Sequence, residues 1–256
     1  MPQEDFAGKT VLITGAGGAL GRASARMLAR RGADLVLADL DPAALDETLA
    51  LCPGARGCVT DVAEADEVAQ LAEFARTAYD RPLAGLVAAA GMLGPMKPLI
   101  EIGEEEYDQT FALNTRALWL ICREVIPQMR QRGEGSVVLL SSTAGLRASR
   151  VLSLYSVTKA AVVMLTRNLA LNHAAENIRV NCVCPGTIEG PMTERTMDIA
   201  VDEEARARRR QEVIGAHPMG RMGRQDEVAE SIAFLLSDAA RFTTGVALPV
   251  DGGRLA

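Results

Sequence analysis

The chain has 256 residues, 48% of them hydrophobic, and its 33 acidic against 27 basic side chains leave a net charge of −6. This length and apolar content fit one α/β domain with a large core and exclude an intrinsically disordered chain. The negative balance offers no general attraction for nucleic acid or anionic membrane, so neither is an expected partner.

The start, Met1-Pro2-Gln3-Glu4-Asp5, is acidic with no apolar segment directly after it, so no signal peptide is expected. No apolar run reaches the roughly 18 residues that would span a bilayer, which predicts a cytoplasmic protein. The first strand is predicted at 10–14. It leads into the glycine-rich turn Thr14-Gly15-Ala16-Gly17-Gly18-Ala19-Leu20-Gly21, then a helix over 19–31, then a strand over 35–39 ending at Asp39. Strand, turn and helix with a carboxylate about 20 positions on is the pattern that seats a dinucleotide pyrophosphate on a helix N-terminus.

Further strands are predicted at 56–59, 85–89, 136–141, 178–183 and 246–250, with helices over 64–79, 104–132, 153–175 and 226–236. Near-continuous apolar strands separated by helices predict a doubly wound, seven-stranded parallel sheet covered on both faces. No repeat or linker divides residues 1–256, so one domain is expected, with its site at the carboxyl ends of the strands. Residues 190–216 break the rhythm. They are polar and rich in both charge signs, and their place beyond a strand end favours a substrate lid over an idle surface excursion. Within them Arg206, Arg208, Arg209 and Arg210 follow Asp202, Glu203 and Glu204, which predicts a solvated helix face.

The five cysteines form no C-x-x-C pair and imply reduced thiols. The two histidines, His173 near a helix end and His217 in a loop, have no ligand-spaced companion, so no metal site is expected.

Tyr155 and Lys159 stand four apart in the predicted helix 153–175, which puts phenol and ammonium on one face. A free phenol with a pKa near ~10 is a poor base, and a fixed neighbouring cation favours its ionised form. Ser142 precedes the tyrosine by thirteen residues, at the end of an apolar strand; Ser141 competes with it but lacks that offset. A phosphate-binding turn with an activated tyrosine downstream points to hydride transfer with a dinucleotide.

These pieces, together with Asp61-Val62, Ala90-Gly91, Asn114, Asn181, Pro185-Gly186 and Asp251-Gly252-Gly253, occur in an order that resembles the short-chain dehydrogenase/reductase family nearly end to end. The resemblance implies an oxidoreductase acting on a secondary alcohol or ketone. Tyr155 would be the general acid/base, Lys159 its activator and holder of the nicotinamide ribose, Ser142 the partner of the reacting oxygen, and Asn114 the organiser of a water-linked proton path. The cofactor would meet Gly15, Gly18, Ala19, Leu20 and Gly21 at the turn, and Asp61, Val62, Ala90, Gly91, Pro185, Gly186 and Ile188 beyond it. Asp39 would accept the adenosine ribose hydroxyls and repel a 2′-phosphate, and no Arg or Lys stands at Leu40 or Asp41, so NAD is expected rather than NADP. An N-cap-region role is the other reading of Asp61. The substrate pocket would draw on Leu93, Ala144, Arg147, Leu152 and Met192. Four of these are apolar and favour a compact apolar alcohol or ketone, while Arg147 faces either a substrate anion or solvent. The resemblance also implies a homotetramer, with helices of 104–132 and 153–175 paired across two-fold axes.

Four positions depart from the family pattern. Alanine stands at 88 and 89 where asparagine is common, Ala19 stands in place of a glycine, and Gly190 stands where a threonine often contacts the nicotinamide carboxamide. Thr187 and Thr193 are the two candidates to replace it.

Overall fold

The computed structural model describes residues 5–198 and 200–256. Residues 1–4 of the acidic start, and Ile199 within the expected lid, lie outside the described residues. Seven strands form one parallel sheet: β1 (Thr10–Thr14), β2 (Asp34–Asp39), β3 (Arg56–Val59), β4 (Leu83–Ala88), β5 (Gly135–Leu140), β6 (Ile178–Pro185) and β7 (Ala247–Val250). Their order is β3-β2-β1-β4-β5-β6-β7, so the direction of travel across the sheet reverses between β1 and β4. Crevices for ligands open at such a reversal, outside the carboxyl ends of the strands.

The strands read as apolar runs because both faces are covered. Every residue of β1 is buried, with Leu12 facing one core and Val11 and Ile13 the other. Against the first face pack α3 (Ala65–Thr77), α5 (Ala117–Arg132) and α6 (Ser153–His173). The opposite face receives α1 (Ala19–Arg30), α2 (Pro42–Ala50) and α9 (Gln225–Leu236). The edge strand β3 is mostly exposed, and its Arg, Gly and Cys suit an edge rather than the middle. Local chemistry sets the helix ends. Asp41 accepts the amides of Ala43 and Ala44 ahead of Pro42, and Gly133 closes α5 at φ 83°, a conformation glycine reaches without strain.

One expected element is divided. Residues 104–132 form α4 (Glu104–Phe111), a π-helical turn (Ala112–Arg116) and α5, rather than one helix. The cause is Asn114. Its Oδ1 accepts the Met92 amide and its Nδ2 donates to the Met92 carbonyl, both at 2.8 Å, and this double bond to another chain segment holds the wider turn in place. The segment after β6 also has more order than its composition implied, with α7 (Pro191–Met197) and α8 (Glu203–Gly215) in it.

Arg179, near the start of β6, ties the sheet to the C-terminus of α9. Its guanidinium donates to the carbonyls of Leu235 (2.7 Å), Leu236 (3.2 Å), Ser237 (3.1 Å) and Thr243 (3.3 Å). These include helix-terminal carbonyls without partners inside the helix, and a cation there also meets the negative end of the dipole. We expect Arg179→Ala to lower the unfolding free energy by about 2–3 kcal/mol in urea titrations, as for charged hydrogen bonds lost from a partly buried site. Arg179→Lys restores only part of this, because one ammonium cannot span four acceptors.

Candidate active site

The glycine turn sits where β1 gives way to α1, and its geometry leaves no room for side chains. A Cβ on Gly21 would lie 2.0 Å from the Gly15 carbonyl oxygen, and one on Gly15, where φ is 68°, would lie 2.5 Å from the Ala90 amide nitrogen. The backbones of α1, the turn and the end of β4 thus close up on one another. Asp39 braces the turn from the next strand. Its Oδ2 accepts the Gly17 amide at 2.8 Å and its Oδ1 the Asp41 amide at 3.0 Å. Each oxygen keeps a lone pair for a further donor.

A cleft of about 410 Å³ runs from this turn to the ends of β5 and β6. Of the residues expected to contact a cofactor or substrate, Gly15, Gly18, Ala19, Leu20, Gly21, Gly91, Leu93, Ser142, Tyr155, Lys159, Pro185, Gly186, Ile188 and Met192 line it. Asp39, Asp61, Val62, Ala90, Asn114, Ala144, Arg147 and Leu152 stand outside its lining. Val62 is a core residue, and Asp61 Oδ1 accepts the Ala63 amide at 2.9 Å in the turn before α3, whose N-cap is Glu64. Leu152 is the N-cap of α6. Thr193, one of the two candidate threonines, lines the cleft, as do Met92 and Arg195, which went unread in that role. Arg195 had a signal, since it falls three places after Met192 and therefore on the same side of α7.

Tyr155, Lys159 and Ser142 gather at one end. Tyr155 and Lys159 are 7% and 3% exposed, with the lysine Nζ 5.5 Å from the centre of the phenol ring. Nζ donates to the Leu140 carbonyl at 2.8 Å, so the ammonium is anchored to the end of β5. The two competing serines differ in their bonds. Ser141 Oγ donates to the Lys159 carbonyl at 2.8 Å and is spent on holding α6 against β5. Ser142 Oγ accepts the Ala144 amide at 3.1 Å and keeps its own proton free for the cleft beside the phenol. Behind Gly91, Asn114 and Lys159 converge: a Cβ at 91 would meet Asn114 Oδ1 at 3.2 Å and Nζ at 3.4 Å.

Electrostatics here differ from the expectation that the lysine lowers the tyrosine. Burial pushes the Tyr155 phenol up to about 12, with hydrogen bonding to Ser142 drawing it down and Cys184 adding a small upward push. Burial also brings the Lys159 ammonium down to about 8, opposed by the nearby Cys184 and Cys182. Desolvation is the largest cause of both shifts.

The departures from the expected pattern acquire physical reasons. Gly190 has φ 145°, outside what a threonine adopts without strain, and a Cβ there would stand 3.1 Å from Gln225 Nε2. Thr193 lines the cleft and donates its hydroxyl to the Ile188 carbonyl at 2.5 Å, whereas the Thr187 hydroxyl accepts from Arg254 Nη1 at 2.7 Å. Of the two threonines, Thr193 is the one in the cleft. Ala88 is fully buried in the core. The arginine run of α8 lies on a solvated helix, none of whose residues is buried, and it also makes contacts of its own. Arg206 pairs with Glu194 and Asp198 at 2.7 and 2.5 Å, Arg210 with Glu194 at 3.3 Å, and Arg209 Nε donates to the Thr196 carbonyl, which together fasten α8 to α7. No described group of His, Cys, Asp and Glu is arranged to hold a metal, and no described helix is long and apolar enough to cross a membrane.

A family model described as "Enoyl-(Acyl carrier protein) reductase" matches residues 15–254. The chain is 35% identical over 261 residues to levodione reductase of Leifsonia aquatica, covering 100% of this chain and 97% of that one. It is 37% identical to cis-4-hydroxycyclohexanecarboxylate dehydrogenase of Sinomonas cyclohexanicum, covering 98% of each. The crystal structure of an NAD+-bound xylitol dehydrogenase superposes with a TM-score of 0.92 at 31% identity, over 97% of this chain and 99% of that one. With its parallel seven-stranded fold and these matches, the chain belongs to the short-chain dehydrogenase/reductase family of oxidoreductases.

Proposed function

We propose that this protein is an NAD-dependent dehydrogenase that oxidises a secondary alcohol to a ketone, and runs in reverse, with Tyr155 as general acid/base. The observation that carries the reading is that Tyr155, Ser142 and Lys159 line the same cleft as the glycine turn. The fit to a dinucleotide rests on that turn, since side chains at Gly15 and Gly21 would collide with the neighbouring backbone and open the tight strand-to-helix turn whose amides a pyrophosphate would approach. Bound there, the nicotinamide supplies or accepts the hydride. The Tyr155 oxygen takes the alcohol proton in one direction and returns it in the other, while the Ser142 hydroxyl holds the reacting oxygen by a hydrogen bond. Lys159 places positive charge beside the phenol, and Asn114 fixes the Met92 backbone behind it. Thr193 is the side chain offered to the carboxamide in place of a threonine at 190.

NAD preference rests on Asp39. Its carboxylate stands at the edge of the turn, and an added 2′-phosphate would bring negative charge beside it. One structural relative is named as NAD+-bound, in keeping with this. Leu93, Met92 and Met192 give the substrate end an apolar lining. A relative named for a hydroxycyclohexanecarboxylate, an alicyclic alcohol, fits such a lining. We also propose a homotetramer paired through α5 and α6, whose outer faces expose Trp119 and Met164. Light scattering should then give four times the 27.2 kDa chain mass, and a monomer would refute it.

Titration with NADH and NADPH under one condition should show NADH bound at least about tenfold more tightly, a difference of ~1.4 kcal/mol. Asp39→Ala should narrow that ratio; tighter NADPH binding by the unaltered protein would overturn the assignment. With the phenol held up by burial, its ionised form grows as pH rises. The kcat/KM for alcohol oxidation should therefore climb from pH 6 to pH 9, while ketone reduction, which needs the protonated phenol, does not. Tyr155→Phe should lower kcat by about 10²–10⁴-fold with NADH affinity changed only a few-fold.

A further inference from the structure

We propose that His217 is a positioning residue for the nicotinamide end of the cleft. By holding the Gly186–Thr187 peptide it presents a main-chain acceptor and donor to the cofactor's carboxamide, an inference that rests on the reading of this cleft as a dinucleotide site. His217 stands in the turn after α8 and is 2% exposed. Its Nδ1 lies 2.7 Å from the Val213 carbonyl oxygen, and its Nε2 lies 3.1 Å from the Thr187 amide nitrogen. A carbonyl can only accept and an amide N–H can only donate, so the proton sits on Nδ1 and Nε2 offers its lone pair. The ring is thereby a strut with one orientation, its donor side on α8 and its acceptor side on the segment that leaves β6. A Cβ on Gly186 would lie 3.0 Å from Nε2, so the ring packs directly against that segment.

Thr187 turns its polar groups to the protein. Its amide donates to His217, its hydroxyl accepts from Arg254 Nη1 at 2.7 Å, and its carbonyl accepts the Gly223 amide at 3.0 Å. Its two neighbours, Gly186 and Ile188, line the cleft. Gly186 donates its amide to the Val250 carbonyl, and the Ile188 carbonyl accepts from the Thr193 hydroxyl. The Gly186 carbonyl and the Ile188 amide are left over, with no hydrogen-bond partner among the described residues. Across a trans peptide the carbonyl and the N–H point in opposite directions. The bond that draws the Thr187 N–H to the ring therefore turns the Gly186 carbonyl away from it.

A primary carboxamide carries one carbonyl and two N–H groups. The Ile188 amide matches the carbonyl, and the Gly186 carbonyl and the Thr193 hydroxyl oxygen match the two N–H groups. A ligand that shut water out of the cleft without pairing these main-chain groups would leave them unsatisfied, which is costly, and a carboxamide avoids that cost. The match lasts only while the Gly186–Thr187 peptide keeps its orientation, and Nε2 is the acceptor that holds its N–H. The charged side chains around the small cavity behind the ring do not take over this task. Asp251 Oδ1 and Oδ2 accept the Gly253 and Leu255 amides, both at 3.0 Å, and Arg221 pairs with Glu227 at 2.6 Å. Position 217 thus acts on the cofactor through a peptide bond, without lining the cleft itself.

The test compares NADH with its reduced 3-acetylpyridine analogue, in which a methyl group replaces the amide nitrogen and the acceptors at 186 and 193 lose their donor. In the unaltered protein, calorimetry should show NADH bound at least about tenfold more tightly than the analogue. His217→Leu should shrink that ratio by about fivefold or more, because the Gly186 carbonyl is no longer aimed. Glutamine sets a carbonyl oxygen at the Nε2 position, whereas asparagine reaches only the Nδ1 position. His217→Gln should therefore restore the ratio and His217→Asn should not. The ratio is internal to each variant, so a general loss of stability does not imitate the result. The asparagine variant keeps the contact to Val213 and serves where leucine does not fold. Leucine and asparagine variants that keep the ratio of the unaltered protein, or an unaltered protein that binds the analogue as tightly as NADH, would overturn the proposal alone. A protein that binds neither NADH nor NADPH would overturn the dinucleotide reading, and this inference with it.

Discussion

Every other part of the site depends on the contact between Gly21 and the Gly15 carbonyl. A hypothetical Cβ at 2.0 Å means that α1 can start directly above the turn only because residue 21 has no side chain. That closeness puts the first amides of α1 at the floor of the cleft and lets β4 approach, since Gly15 in turn packs on the Ala90 backbone. Asp39 completes the arrangement by accepting the Gly17 amide from the neighbouring strand. Local glycine conformations and one carboxylate thus convert the topological reversal between β1 and β4 into a surface with room for a dinucleotide.

The opposite end of the cleft is governed by desolvation. Tyr155 and Lys159 are held nearly out of water on one face of α6, and each is pushed toward its neutral form, the phenol upward and the ammonium downward. The two shifts move the groups apart, so the proton stays on the phenol while the ammonium releases its own more readily than it would in water. The main-chain anchors fix their geometry: Leu140 holds Nζ, and Ser141 holds the Lys159 carbonyl.

The fold was legible because both signals on which it rests are local in sequence. Apolar strands such as 10–14 and 178–183 announce burial on two faces, and the turn from Thr14 to Gly21 announces a backbone without side chains. Most observed strand ends fall within two residues of their expected positions. What escaped notice depends on distant partners. The π-helical turn at Ala112–Arg116 exists because Asn114 bonds Met92, 22 residues away, and periodicity within 104–132 cannot report that bond. The arginines of α8 lie on a solvated helix, as their composition implies, yet Glu194 and Asp198, which they also grip, lie on the other side of a chain reversal. The direction of the tyrosine shift also eluded a reading from spacing, since i and i+4 fix a face but not how deeply that face is buried.

Gly190 shows how a substitution that looks like a loss follows from backbone geometry. At φ 145° the chain turns sharply from the Ile188 bridge to Gly223 into Pro191, the first residue of α7. A threonine at 190 would have to unwind that turn and displace Gln225, whose side chain donates to the Glu189 carbonyl at 2.9 Å. With glycine the turn closes, α7 begins at once, and Thr193 in its first turn faces the cleft while its hydroxyl is oriented by the Ile188 carbonyl. That hydroxyl gives its proton to the protein and so presents only lone pairs to the cleft, which suits an amide N–H better than a carbonyl. The same short helix carries Met192 and Arg195 to the cleft wall, and α8 grips it from outside through Glu194 and Asp198. Any motion of α7 would therefore carry its cleft-facing side chains and its outer acidic staples together.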